Sequence, residues 1–209
     1  MKAIISHINL HSFVDGPGER VVVFFSGCPI HCPGCQNRNL WESKGHIVDA
    51  TELGITLKFL ANKHGNVTIT GGEPFFQPRA LAELVTELRK LDVKNIQVYS
   101  GYTWEELTNP LLFRDYVAVK DIFQNIDVLV DGQFVVALDN PFLVYRGSSN
   151  QRPIDVQASL EKGEVVVLDW DNPEIQIDLS GDVYMPAGLA PEMAELGDPQ
   201  TTRRCGQSK

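Results

Sequence analysis

Arg20-Val21-Val22-Val23-Phe24-Phe25-Ser26 is an unbroken β-branched and aromatic run, the composition of a strand buried on both faces. It leads into Cys28-Pro29-Ile30-His31-Cys32-Pro33-Gly34-Cys35, where Pro and Gly disfavour a helix and suit a tight, wrapped loop. The same punctuation recurs downstream. Val67–Thr70 predicts a second strand ending at Gly71-Gly72, Asn95–Tyr99 a third ending at Ser100-Gly101, and Ile126–Val130 a fourth closed by Asp131-Gly132. Helical stretches fall between them. Asp49 and Glu52 have capping-box spacing ahead of a helix to about Lys63. Pro78 opens another, with Leu81, Leu84, Val85, Leu88 and Leu91 along one face, and Thr103 with Glu106 caps a short third. This alternation predicts an α/β fold with a parallel sheet and outer helices. Ligands bind such sheets at the carboxyl ends of the strands, so the four loops are expected to meet at one site.

Three thiols spaced by three and two residues can wrap one compact metal centre. Soft thiolates select iron-sulfur clusters, zinc or copper(I) over hard cations. A four-iron cubane held by three cysteines keeps one iron free of protein ligands, as a reactive centre requires. The competing arrangement is structural zinc with His31 as fourth ligand. Such sites usually draw on two separated ligand pairs, and no second cysteine pair exists here. Cys205 lies apart in the tail and is expected to be an unpaired thiol.

The 43% hydrophobic and 22% charged composition is that of a globular chain and excludes a disordered or fibrous one. A net charge of -9 argues against nucleic-acid binding, which needs a basic surface. No apolar run is long enough to span a bilayer, and Met1–His7 does not resemble a secretory signal. A cytoplasmic protein without membrane contact is expected. Residues 161–209 hold ten acidic and four basic residues and so contribute -6 of the -9. The expected organisation is a main domain over 1–160 and an acidic extension over 161–209. In the extension, Glu164–Leu168 and Ile175–Leu179, with Ser180-Gly181-Asp182 as a turn, are expected to form a small hairpin, and a loosely ordered tail is expected from Pro186.

Cys-x3-Cys-x2-Cys followed by a strand ending in Gly71-Gly72-Glu73-Pro74 resembles the radical S-adenosylmethionine superfamily. Val14-Asp-Gly-Pro-Gly-Glu-Arg20 and Phe25-Ser-Gly-Cys-Pro-Ile-His-Cys-Pro-Gly-Cys-Gln-Asn37, with Trp41, narrow the likeness to the activating enzymes of glycyl radical enzymes. Tyr99-Ser-Gly-Tyr-Thr-Trp-Glu-Glu-Leu107, Asp127-Val-Leu-Val-Asp-Gly-Gln-Phe134 and Tyr145-Arg-Gly-Ser-Ser-Asn-Gln-Arg152 resemble the branch that activates anaerobic ribonucleoside-triphosphate reductase.

That resemblance implies an incomplete, open parallel barrel. Cys28, Cys32 and Cys35 would hold a 4Fe-4S cluster, with S-adenosylmethionine chelating the fourth iron. Reductive cleavage would give a deoxyadenosyl radical that abstracts hydrogen from the glycine-bearing loop of the reductase large subunit. An external donor of flavodoxin or ferredoxin type would supply the electron. Gly34, Gln36 and Asn37 are expected beside the cluster; Gly71, Gly72 and Glu73 at the methionine end of the cofactor; Ser100 and Gly101 near it. Asp131 is a candidate for binding a cation or orienting the substrate peptide, or is only a turn residue. The Arg146–Gln151 segment is a family signature with no role to assign. Competing readings are another glycyl radical activase, a small-molecule radical enzyme, or a non-catalytic zinc or electron-transfer protein.

Overall fold

The computed structural model describes residues 1–61 and 65–171, with the backbone of 176–177 and 183–184. The chain opens with two antiparallel strands, β1 (Lys2–Ser12) and β2 (Arg20–Phe25). Strand β3 (His46–Asp49) pairs antiparallel with β1. Next come α1 (Ala50–Leu60), β4 (Asn66–Gly71), α2 (Pro78–Lys90) and β5 (Asn95–Tyr99). The sequence continues through α3 (Trp104–Leu107), α4 (Tyr116–Phe123), β6 (Val128–Asp131), β7 (Arg152–Asp155), α5 (Val156–Lys162) and β8 (Val166–Val167).

Sheet order is β3-β1-β2-β4-β5-β6-β7-β8. The central four, β2, β4, β5 and β6, run parallel, and both flanks are antiparallel. The fold is therefore mixed α/β with a parallel-rich sheet. Among the described residues it has two free ends, β3 and β8, and does not close into a barrel. No described helix is long and apolar enough to cross a membrane.

Alternation along the central strands separates the two faces. Val21, Val23, Phe25, Val67, Ile69, Ile96, Val98 and Leu129 join the main core. Packed into that core are Leu53 and Leu57 of α1, Leu81, Leu84, Val85 and Leu88 of α2, and Val119 and Ile122 of α4. Asp49 caps α1 by accepting from the Thr51 and Glu52 N–H groups, and Thr103 with Glu106 makes a reciprocal capping box on α3.

The opposite positions, Arg20, Thr68, Gln97 and Tyr99, are polar. The buried Arg20 guanidinium donates to Thr68 Oγ1 at 2.6 Å, Pro17 O at 3.0 Å, Val67 O at 2.9 Å and Asn95 Oδ1 at 2.8 Å. Burial brings its pKa down to about 10. Asp15 O accepts from Thr68 Oγ1 and Gln97 Nε2 at 2.9 and 3.1 Å. The Asp15–Gly18 turn between β1 and β2 thus supplies backbone acceptors, Asp15 O and Pro17 O, to the polar side chains on this face of the sheet. Gly16 permits this close approach, because a Cβ there would lie 2.5 Å from Gln97 Oε1.

A smaller apolar cluster joins Val128 and Val130 to Trp170, with Tyr99, Tyr145 and Leu168 around it. Two compact units divide the chain, Met1–Asn172 and Pro173–Lys209, so residues 161–171 belong to the first. The expected Glu164–Leu168/Ile175–Leu179 hairpin is replaced by another pairing. Val166 and Val167 pair with Asp155 and Ile154 of β7, because α5 returns the chain along that edge and Ser159 Oγ accepts from Val166 N at 2.9 Å. In the second unit, β9 (Gln176–Ile177) pairs antiparallel with β10 (Val183–Tyr184). The tail from Pro186, with Cys205, lies outside the described residues.

Candidate metal and cofactor site

The four strand-end loops converge. One cavity of about 150 Å³ is lined by Cys28, Cys32, Cys35, Gly71, Gly72, Glu73, Ser100, Gly101 and Gly132, together with Trp41, Phe134 and Gln151. Backbone bonds set this arrangement. The end of β4 is laid against the start of the cysteine loop by Gly72 N to Phe25 O at 2.8 Å and Glu73 N to Gly27 O at 2.9 Å. The loop's return is fixed by Gly27 N to Leu40 O at 2.8 Å and Cys28 N to Trp41 O at 3.0 Å.

Gly71 and Gly72 are required by these neighbours. A Cβ on Gly71 would sit 2.4 Å from Phe25 O, and one on Gly72 would sit 2.4 Å from Gly27 O. The glycines let two backbones touch.

All three cysteines are half-exposed free thiols. Burial pushes the Cys28 and Cys32 thiols above the ordinary range, against backbone N–H groups of His31 and Ile30 at Cys28 and of Phe134 at Cys32. Asn37 N donates to Cys35 Sγ at 3.3 Å. The Cys35 sulfur therefore faces an amide donor, the environment that suits an anionic thiolate-ligated centre.

Single zinc fits less well. The His31 ring is stacked on Trp41, centroids 4.5 Å apart. Among the described residues no three His, Cys, Asp or Glu side chains are placed to hold one ion.

Glu73 is 1% exposed. Its carboxylate accepts from Phe75 N at 2.9 Å, Ser100 Oγ at 3.0 Å and Gly101 N at 2.7 Å, so it ties the ends of β4 and β5 together. Burial outweighs these donors and pushes its pKa up to about 7. A folded-state value above the unfolded one stabilises the protein fully below about pH 4.5, and this contribution is lost as pH rises through about 7. Metal-free protein is expected to lose on the order of 3 kcal/mol by this route across that window, and Glu73→Gln to flatten the slope. Urea denaturation of both proteins at pH 5 and pH 8 checks it.

The remaining expected residues divide. Gly34 (φ 79) lies outside the lining but packs under it, since a Cβ there would meet Val136 Cγ2 at 2.4 Å and Phe134 Cε1 at 3.1 Å. Asn37 reaches the lining through Cys35 Sγ and, at 3.5 Å, Gly71 O. Gln36 is exposed and forms no part of it. Asp131 is buried at the end of β6, where its carboxylate accepts from Trp104 N at 2.7 Å and from Arg152 at 3.0 and 2.6 Å. The Arg152 guanidinium, also paired with Glu105, occupies the place a bound cation would take.

The Arg146–Gln151 signature acquires a role from the structure. Gln151 Oε1 accepts from the Gly147 and Ser148 N–H groups, and Gln151 Nε2 donates to Gly132 O at 3.1 Å. Asn150 Nδ2 donates to Gln133 O at 2.8 Å, and Ser148 Oγ accepts from Val135 N at 3.2 Å. The segment clamps residues 132–135 and thereby places Phe134 beside Cys32.

A family described as a 4Fe-4S single cluster domain matches residues 14–154. The anaerobic ribonucleoside-triphosphate reductase-activating protein of Escherichia coli (strain K12) is 33% identical over 157 residues, 69% of this chain and 96% of that one. The chain belongs to the anaerobic ribonucleoside-triphosphate reductase-activating protein family. Other members of the activating-protein family agree: that of Pasteurella multocida (strain Pm70) is 36% identical over 146 residues, covering 66% of this chain and 88% of the relative. The protein of Enterobacteria phage T4 is 30% identical over 145 residues, covering 67% and 86%. Every residue lining the cavity falls within the stretch matched by the 4Fe-4S domain. Among solved structures, QueE from Escherichia coli aligns with a TM-score of 0.39 at 19% identity, over 49% of this chain and 54% of that one, too slight a likeness to bear on the activity of the activating proteins.

Proposed function

We propose that this chain is the activase of an anaerobic ribonucleoside-triphosphate reductase, working through a cluster held by Cys28, Cys32 and Cys35 and through S-adenosylmethionine bound beside it. The observation that carries the reading is the gathering of three free thiols with the Gly71–Glu73 and Ser100–Gly101 strand ends in one cavity.

When bound, a cluster held by Cys28, Cys32 and Cys35 would supply the electron for reductive cleavage of S-adenosylmethionine, and with it the radical chemistry that removes the α-hydrogen of a glycine in the reductase large subunit. The chain's own residues bind, orient and exclude competing reactions. Cys28, Cys32 and Cys35 would hold the cluster, and the Gly71–Glu73 and Ser100–Gly101 strand ends would hold S-adenosylmethionine beside it. The buried Glu73 carboxyl is poised to ionise when an ammonium arrives, because a neighbouring cation favours its charged form. Gly101 and Ser100 hold that carboxylate in place. Phe134, on the segment that Gln151 and Asn150 clamp, lines the same cavity as Cys32. A sheet left open at both ends suits a substrate that enters as a protein loop, and an external donor of flavodoxin or ferredoxin type is the proposed electron source.

The test is anaerobic incubation of the reconstituted chain with reductant, S-adenosylmethionine and the large subunit of an anaerobic reductase. A glycyl radical signal by electron paramagnetic resonance, with matching release of deoxyadenosine, is expected. Deoxyadenosine without a glycyl radical would assign the chain a different substrate.

A further inference from the structure

Gln133-Phe-Val-Val-Ala-Leu-Asp-Asn-Pro-Phe-Leu-Val-Tyr145 holds one charged residue, Asp139, in a chain that is 22% charged. Apolar side chains of this kind are mostly found buried, yet here they face solvent. Val136 is 55% exposed, Leu138 42% and Phe142 88%. Depletion of charge around exposed aromatic and aliphatic side chains marks the centre of a protein–protein interface.

The segment is held in shape without burying those side chains. Val136–Leu138 forms a 3-10 turn, with Leu138 N donating to Val135 O at 2.9 Å. Ser149 N donates to Leu138 O at 3.0 Å, Asn140 N to Gly147 O at 3.4 Å, and Phe142 N to Asn140 Oδ1 at 3.0 Å. The Arg146–Gln151 signature therefore anchors this segment as well as residues 132–135. An apolar surface fixed in advance loses little conformational entropy on association.

Position singles the segment out. Phe134, immediately before it, lines the cysteine cavity. Val136 abuts the cysteine loop, since a Cβ on Gly34 would lie 2.4 Å from Val136 Cγ2. Other exposed apolar side chains, such as Ile55 and Phe59 on α1 and Val117 on α4, sit on helices that contribute nothing to the lining. Under the activase reading the substrate is itself a protein, and its reacting glycine has to be held at the rim of this cavity.

We propose that residues 135–142, through Leu138 and Phe142, are the docking surface for the glycine-bearing large subunit of the reductase. This inference rests on the activase reading above and adds where the partner is gripped.

The test titrates the full chain, reconstituted anaerobically, with the large subunit of the anaerobic reductase from the same organism, and reads Kd by calorimetry. Wild type is compared with Phe142→Asp, with Leu138→Asp combined with Phe142→Asp, and with Val117→Asp, which adds the same charge away from the cavity. Iron and sulfide loading is expected to be equal in all four. Kd is expected to rise about tenfold in Phe142→Asp and further in the double variant, and to stay at the wild-type value in Val117→Asp. Should the double variant fail to fold, Phe142→Asp carries the comparison. Wild-type affinity in the rim variants would overturn the docking surface and leave the activase reading standing. Equal weakening by Val117→Asp would overturn it too, assigning the effect to net charge. So would rim variants that lose only self-association of the chain, which would make the occupant a second copy. A wild-type protein that cleaves S-adenosylmethionine but binds no reductase would instead overturn the activase reading itself, and with it the partner named here.

Discussion

Cys32→Ser is expected to leave a folded protein that no longer assembles a stable cluster, with activation reduced by more than about a hundredfold. Loss of an outer partner of a metal ligand typically costs about 10- to 100-fold, and loss of a ligand exceeds that. Serine keeps the size of the side chain but offers a hydroxyl in place of a soft thiolate. The fold is insulated from the change, because Cys32 is half-exposed and no member of the aliphatic core. Thermal unfolding of the metal-free variant is expected to match wild type within about 0.5 kcal/mol. Full cofactor cleavage by this variant would show that Cys32 is not a ligand.

Gly72→Ala is expected to be nearly as damaging by a different route. Its Cβ would lie 2.4 Å from Gly27 O and 2.9 Å from Leu40 O, and both obstacles are backbone atoms that cannot swing aside. Gly27 precedes Cys28, and Leu40 O anchors Gly27 N, so relieving the clash displaces the cysteine loop. A loss of roughly 1–3 kcal/mol in stability is expected, with iron and sulfide content falling in parallel. Gly163→Ala is the control. Nothing lies within 4 Å of a Cβ there, so the left-handed backbone alone costs about 1–2 kcal/mol and cluster loading stays at the wild-type level. Equal loading in Gly72→Ala would mean that this contact does not hold the loop.

The central sheet was legible because its strands are short, apolar and punctuated. The strand over Asn95–Tyr99 matches β5 residue for residue, and the loops expected to converge do so in one cavity. Other elements gave weaker signals. Strand β1 mixes polar and apolar residues and carries two register shifts, between Ile5 and His7 and between Asn9 and Ser12, which break the period-two pattern. Strand β7 contains Pro153, which in a sequence argues against a strand. It is tolerated here in antiparallel pairing opposite Val130. Trp41, Phe134 and Gln151 reach the site from segments off the strand ends, through hydrogen bonds spanning up to 19 residues that no local pattern encodes. Gly71 and Gly72 have a structural reason that the sequence does not show: their smallness serves the contact between β4 and the cysteine loop. By position alone Asp131 reads as a cation ligand; Arg152, a residue from another strand, sits on its carboxylate.

Iron, acid-labile sulfide and zinc should be measured on protein purified and reconstituted without oxygen. About four iron and four sulfide per chain are expected, falling together in Cys32→Ser. About one zinc with no sulfide would contradict a cluster at Cys28, Cys32 and Cys35.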